Sequence, residues 1–327
     1  MKRTLIVTIA LVFFAMTAPV SMAADIKIAL DCPPDPDHCG TYYWSTVFAD
    51  HLKESGLAAT LYPADALGGE EEKLDQVSQG LLEVSNSDVS KVGQLDPTIM
   101  GIGLPYIIDS VAQMDRIIES TDFMNLINAK SAKHGVRTLA VIPVGGFSGL
   151  ANTKHPVRTP ADLKDLRMRA MDNIQVQILK SWGANTVVIP WPEIYNSLQT
   201  GVADGYLNSA IVPVMFKHTE ILKHFSDLKL AAPIRVTICS ETWYSGLSKK
   251  DRGIVDAAVA KANAANREWL KGSVQRDLDE LGKSGVEVYQ NTKEERDQFA
   301  RLVRPIYKDL VPPEIAELFI KLADATK

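Results

Sequence analysis

The sequence has little of what a catalyst, a nucleic-acid binder or a membrane-spanning protein needs. It carries three cysteines and six histidines in 327 residues, and His38, His51, His134, His155, His218 and His224 are scattered. It contains no G-x-S-x-G, no H-E-x-x-H and no Gly-rich nucleotide fingerprint. No activated nucleophile, catalytic zinc or phosphate loop is therefore expected, so the chain reads as a protein that is not an enzyme and needs no cofactor. Acidic residues outnumber basic ones by 40 to 35. That balance argues against a nucleic-acid partner, which would call for a basic face. Beyond residue 23 there is no run of 18 uncharged apolar residues, so no later segment is expected to cross a bilayer.

What is present begins with an export signal. Lys2 and Arg3 precede an apolar stretch from Leu5 to Met16, and Ser21-Met22-Ala23 ends it with small residues, the order of a secretory signal peptide. A membrane anchor is the competing interpretation, but the apolar run falls short of the roughly 20 residues a spanning helix needs. Cleavage is expected near Ala23, which makes 1–23 a signal peptide and leaves a mature chain in the periplasm that does not span the membrane. The mature chain is long enough for two domains at about 150 residues each. Without Lys2 and Arg3, 33 basic residues face 40 acidic ones, a formal charge of −7.

Cys32 and Cys39 flank a loop containing Pro33, Pro34 and Pro36. In an oxidising compartment they are expected to form a disulfide. A zinc site using His38 as well would offer only three ligands where closed structural sites use four. Cys239, in the apolar run Ile234 to Cys239, is expected to be a buried strand thiol.

Periodicity predicts strands at Ile26–Leu30, Ala59–Tyr62, Thr138–Pro143, Met168–Met171, Thr186–Ile189 and Lys229–Cys239, with helical patterns between most of them. Tyr42 to Lys53 reads as a helix. So does the segment that opens on Glu70-Glu71-Glu72 after Gly68-Gly69 and stops at Gly80. The alternation implies an α/β protein with mainly parallel sheets. From Ser248 to about Gly282 the chain is rich in Ala, Lys, Asp and Glu and has no proline, which predicts one long helix capped by Ser248 with Asp251. At 1.5 Å per residue it would reach roughly 50 Å and could brace two lobes. No repeat and no flexible linker is present, so the lobes are expected to be joined by several short crossings.

The most informative stretch runs from Pro160 to Pro213. It contains Asp162-Leu163-Lys164-Asp165-Leu166-Arg167-Met168-Arg169, Gly183-Ala184-Asn185, Pro190-Trp191-Pro192-Glu193-Ile194-Tyr195 and Leu198-Gln199-Thr200-Gly201-Val202-Ala203-Asp204-Gly205. This block resembles the signature region of the TRAP-transporter solute-binding proteins of the DctP type. Leu67-Gly68-Gly69-Glu70, Leu104-Pro105-Tyr106 and Leu247-Ser248 with Asp251-Arg252 extend the resemblance over nearly the whole mature chain. It implies a two-lobed periplasmic-binding-protein fold with a ligand cleft between the lobes and a long helix spanning both. Lobe I would hold 24–146 plus about 234–275. Lobe II would hold 147–233 plus about 276–327.

The resemblance also implies a function: capture of a small organic acid and its delivery to TRAP membrane permease subunits. Arg169 stands where the family places the arginine that pairs with the ligand carboxylate, and a guanidinium fork suits a carboxylate bidentately. On residues alone, Arg169 could instead pair with Asp172 or Asp204 on the surface. Arg167, two positions away on the same strand, is the nearest competitor for the role. The family's binding asparagine falls on Asn208 and its aromatic wall on Trp191. Phe147, Tyr43, Trp44 and Tyr206 lie at or near expected strand ends, where ligands bind in open α/β sheets, although any of them could equally be core. Ser148 stands where many relatives carry a second arginine. With one arginine and several aromatics, the expected ligand is a monocarboxylate with an apolar or aromatic body. The alternatives are a C4-dicarboxylate or sugar-acid binder, or a ligand sensor for a receptor kinase.

Overall fold

The computed structural model describes residues 25–119 and 121–326; the expected leader, 1–23, lies outside them. The first sheet has the order β2-β1-β3-β10-β4, built from β1 (Ile26–Ala29), β2 (Ala59–Tyr62), β3 (Val84–Asp88), β4 (Val136–Pro143) and β10 (Ile234–Ser240). The second has the order β11-β9-β5-β8-β6-β7, from β5 (Gly149–Asn152), β6 (Arg167–Ala170), β7 (Asn185–Val188), β8 (Gly205–Asn208), β9 (His224–Ser226) and β11 (Glu287–Tyr289). Each sheet is the floor of one lobe.

Both sheets are mixed rather than mainly parallel. β1 runs parallel to β2 and β3, but β10 is antiparallel to β3 and β4. In the second sheet β6 is parallel to β7 and β8, while β5 is antiparallel to β8 and β9. The reason lies in the crossings. The chain leaves the first lobe after β4, builds most of the second, and returns through β10, which enters the first sheet from the opposite direction.

The two crossings lie side by side. Val144 N donates to Pro233 O at 2.9 Å, Ser148 N to Ala231 O at 2.9 Å and Leu230 N to Ser148 O at 2.9 Å. Residues 229–233, expected as the start of a strand, are thus part of this interlobe ribbon, and the strand proper begins at Ile234. The third crossing is the long helix, Lys249–Lys283, whose N-cap Ser248 accepts from Asp251 N at 3.1 Å. Its first half places Val255, Ala258 and Ala262 in the core of lobe I with Trp44 and Phe48. Its end places Leu278 and Leu281 against Tyr206 and Phe225 of lobe II. The helix therefore spans both lobes.

The C-terminal segment divides between the lobes, where it had been expected to stay with lobe II. Helix Lys293–Val303 sits on lobe II, with Phe299 edge-on to Trp182 at 5.1 Å. Helix Pro313–Ala325 returns to lobe I, where Phe319 meets Phe123 edge-on at 5.8 Å and Gln113 Nε2 donates to Ala323 O. An apolar stripe needs a core to cover it, and Phe319 finds one in lobe I.

β3 was missed in the sequence because Val84-Ser85-Asn86-Ser87-Asp88 is polar. It is nevertheless central and almost wholly buried. Its central amide is matched inside the protein: Thr237 Oγ1 donates to Asn86 Oδ1 at 2.8 Å, and Asn86 Nδ2 donates to Ser45 Oγ at 2.9 Å. Buried polar groups that are paired cost little. At β8, Gly205 is required by close approach, since a Cβ there would lie 2.0 Å from Ala151 O. Gly205→Ala should cost about 1–3 kcal/mol through overpacking, read as a lower urea midpoint with an unchanged m-value.

Candidate functional site

β6, β7 and β8 are parallel, with Arg169 beside Val187 and Tyr206, so their carboxyl ends form one edge. Open α/β sheets place their ligand sites at such an edge. Arg169 sits near the end of β6 and Asn208 is the last residue of β8. Trp191 follows β7 by three residues, held by Pro190 and Pro192 in a short 3-10 turn.

Arg169 is 6% exposed. Its Nε donates to Ile189 O at 2.9 Å, which aims the fork, and its guanidinium lies 5.8 Å from the centre of the Trp191 ring. Among the described residues no carboxylate lies within 4.0 Å of it. The two acids that could have claimed it are engaged elsewhere. Asp172 caps the following helix by accepting from Gln175 N at 2.9 Å. Asp204 accepts from Arg167 N at 2.7 Å and pairs with Lys154 at 3.2 Å. Burial pulls the Arg169 pKa down to about 10, opposed by the charge of Asp172. The side chain remains a cation at neutral pH, desolvated and without a counter-ion, and such a charge is costly until an anion meets it.

Behind Trp191 stands a layer of rings. Trp191 is edge-on to Phe216 at 4.9 Å and to Tyr206 at 6.2 Å, and tilted against His218 at 5.8 Å. Tyr206 Oη lies 2.8 Å from His218 Nδ1. Burial drives the His218 pKa down to about 4, so the neutral ring can accept from the phenol. These pairs lock the Trp191 ring, and edge-to-face pairs of this kind contribute about 0.5–1.5 kcal/mol each.

The residues named from sequence therefore separate. Arg169, Trp191 and Asn208 come together at the edge. Asn208 is half-buried, and its Oδ1 accepts from Ser209 N at 2.9 Å. Phe147 is half-buried in the first crossing, two residues before Gly149, which pairs with Asn208 across β5 and β8. Tyr206 is fully buried and supports the wall without facing the cleft. Arg167 is exposed at the opposite, amino end of β6, with Nη2 donating to Gly201 O at 2.5 Å; it does not share the site. Tyr43 stacks on Trp269 of the long helix at 6.2 Å. Trp44 is a core residue: it has no exposed surface, stacks on Phe48 at 5.0 Å and donates from Nε1 to Asn263 Oδ1 at 2.7 Å. Phe216 and His218 were missed, and their sequence context, Met215 to Thr219, carries no spacing that would have marked them.

Lobe I presents a second constellation that the sequence did not show. Arg235, at the start of β10, pairs with Asp31 at 2.7 Å, Glu70 at 2.9 Å and Asp88 at 3.0 Å. Burial would weaken its charge, but Asp31, Asp88 and Glu70 hold it firmly protonated. All three of its nitrogens are occupied, which pins the ends of β1 and β3 to the start of helix Glu70–Ser78 and leaves no fork for a ligand. The expected disulfide joins Cys32 and Cys39, and Cys239 is a buried free thiol. No helix among the described residues is long and apolar enough to cross a membrane.

Known proteins agree with this architecture. A solute-binding protein of Chromohalobacter salexigens is 28% identical over 276 residues, covering 83% of this chain and 81% of its own. The ectoine-binding periplasmic protein of Halomonas elongata is 25% identical over 256 residues, covering 74% and 73%. The crystal structure of a TRAP periplasmic solute-binding protein from Chromohalobacter salexigens with bound D-glucuronate superposes with a TM-score of 0.83 at 25% identity, covering 92% of this chain and all of that one. The model of bacterial extracellular solute-binding protein family 7 matches residues 35–312, and with two lobes built on two sheets and a bracing helix, the chain belongs to that family, DctP.

Proposed function

We propose that this protein captures a small organic monocarboxylate between its lobes, in the periplasm, and passes it to the membrane subunits of a TRAP transporter. The observation that carries the reading is Arg169, a buried guanidinium without a carboxylate partner, fixed over the face of Trp191. A ligand carboxylate supplies the missing counter-charge, and its two oxygens match the two free Nη groups. Asn208 Nδ2 offers a further donor. The ligand body lies against Trp191, and Phe147 stands on the same edge.

A single free fork favours one carboxylate over two, because Arg235 is saturated and Ser148 brings no charge. An aromatic wall favours an apolar or aromatic body. The relatives named above are described with a sugar acid and with ectoine, so the body of the ligand is the part of this proposal that a screen decides. In a thermal-shift panel of indole and phenyl acids, branched keto acids, D-glucuronate, ectoine and succinate, native-state binding raises the midpoint. Aromatic or branched monocarboxylates should give the largest shifts. A shift with D-glucuronate or ectoine alone would overturn the apolar body and keep the carboxylate site. A shift with succinate alone would overturn the single-carboxylate reading.

A further inference from the structure

The loop closed by the Cys32–Cys39 disulfide takes no part in the site just described, yet it is held more firmly than a surface loop needs to be. It leaves lobe I at the end of β1 and lies along the long helix, tied to one face of it. Trp269 Nε1 donates to Pro36 O at 2.9 Å, Arg276 Nη2 donates to Asp37 O, and His38 Nε2 lies 3.0 Å from Glu280 Oε2. Positions 269, 276 and 280 are spaced by seven and four, which sets them in one row. The other ring nitrogen of His38 is 2.8 Å from Asp35 Oδ2 in its own loop. Glu280 stands between Leu278 and Leu281, which pack into lobe II. The His38–Glu280 contact therefore joins a loop of lobe I to the end of the helix that belongs to lobe II.

The same place holds an unsatisfied group. Asp277, 2% exposed, has no hydrogen-bond partner for Oδ1. It lies against Gly145 in the first crossing, where a Cβ would stand 3.9 Å from Asp277 Oδ2 and 3.6 Å from Ser209. Long helix, crossing ribbon and the end of β8 meet there.

We propose that the 32–39 loop is an interlobe strap in which His38 and Glu280 are positioning residues: protonated His38 bridges Asp35 and Glu280 and holds the lobes in the relation that sets the width of the ligand cleft. The strap needs no ligand, so it stands or falls independently of the carboxylate reading. The charged groups facing His38 are Asp35 on its own loop and Glu280, Asp277 and Arg276 on the helix. Burial alone would lower the His38 pKa, but its bonds to Asp35 and Glu280 outweigh this and raise it. A raised histidine gives a hold that is complete below its ordinary pKa of about 6.5 and is lost as pH rises through the raised one. Asp277 acts in the same sense. Burial raises it to about 6 against Arg276 and His38, with Glu280 adding to the rise, so this buried carboxyl, 3.7 Å from Arg276 Nε but without a hydrogen bond to Oδ1, is held most easily at low pH.

The test uses the intact, ligand-free mature protein. Nitroxide labels are placed through a ketone-bearing amino acid at exposed Asp50 on lobe I and exposed Lys180 on lobe II, which leaves the disulfide undisturbed. Pulsed electron-electron distance measurements should show one narrow population at pH 5.5, at the separation seen in this structure, falling at least threefold by pH 8.5. His38→Gln should be broad at both values, and Glu280→Gln should lower the His38 pKa measured by NMR. A wild-type distribution that does not change with pH would overturn the proposal. So would a His38→Gln protein with the wild-type response, or a His38 pKa unmoved by Glu280→Gln.

Discussion

Arg169→Ala should sharply weaken capture without weakening the fold. If the carboxylate pair is buried, its loss costs about 2–5 kcal/mol, which is roughly 30- to 4,000-fold in Kd. The direction on stability separates this arginine from an ordinary salt-bridge partner. Removing one half of a buried pair leaves a stranded charge and destabilises strongly. Here no carboxylate would be stranded, because Asp172 and Asp204 have their own partners. What disappears is a desolvated cation without a counter-ion and one hydrogen bond to Ile189 O. The ligand-free variant should therefore unfold at or above the wild-type midpoint while losing the shift produced by ligand. Calorimetry with and without the best carboxylate of the panel checks both halves. A variant that keeps its affinity would remove Arg169 from the site. Arg169→Lys is the finer control: it retains the charge but loses the planar fork, and should recover only part of the affinity.

Trp44→Ala should do the opposite. This ring is wholly buried between Phe48 and the long helix, and its Nε1 satisfies Asn263. Truncating a core tryptophan costs about 3–5 kcal/mol, and an Asn263 oxygen left without its donor adds to the loss. Urea denaturation should show the drop, while the protein that remains folded keeps its ligand preferences. Trp191→Ala completes the contrast. Trp191 is half-buried and its neighbours Phe216, Tyr206 and His218 remain packed on one another, so stability should fall less and affinity more. If Trp44→Ala altered ligand choice at constant stability, the assignment of Trp44 to the core would be wrong.

These two tryptophans show where sequence reasoning stops. From the sequence both could line a cleft. What separates them is that the Trp44 face of the first helix, Gly40–Glu54, is covered by the long helix 219 residues away along the chain, while Trp191 follows an edge strand. Arg167 and Arg169 make the same point at shorter range. They lie two apart on one strand, Arg167 at the amino end of β6 and Arg169 near its carboxyl end, and only the parallel placement of β7 and β8 beside β6 decides which of those ends meets Trp191 and Asn208. The C-terminal helix likewise carries its apolar stripe openly, but nothing in that stripe says which lobe will cover it.

The order of the motifs, the long Ser248-capped helix and the Cys32–Cys39 pairing were all readable in the chain. Each depends on local chemistry: a cap, a proline-free run, a closed loop, a signature with its spacing. The strap at His38, the quenching of Arg235 by Asp31, Glu70 and Asp88, and the polar core strand β3 were not. Each depends on charges and hydrogen-bond partners that lie far apart along the chain and become neighbours when the crossings bring two sheets together. Whether a charged side chain is free to meet a ligand is set by the partners already around it, and that condition belongs to the fold.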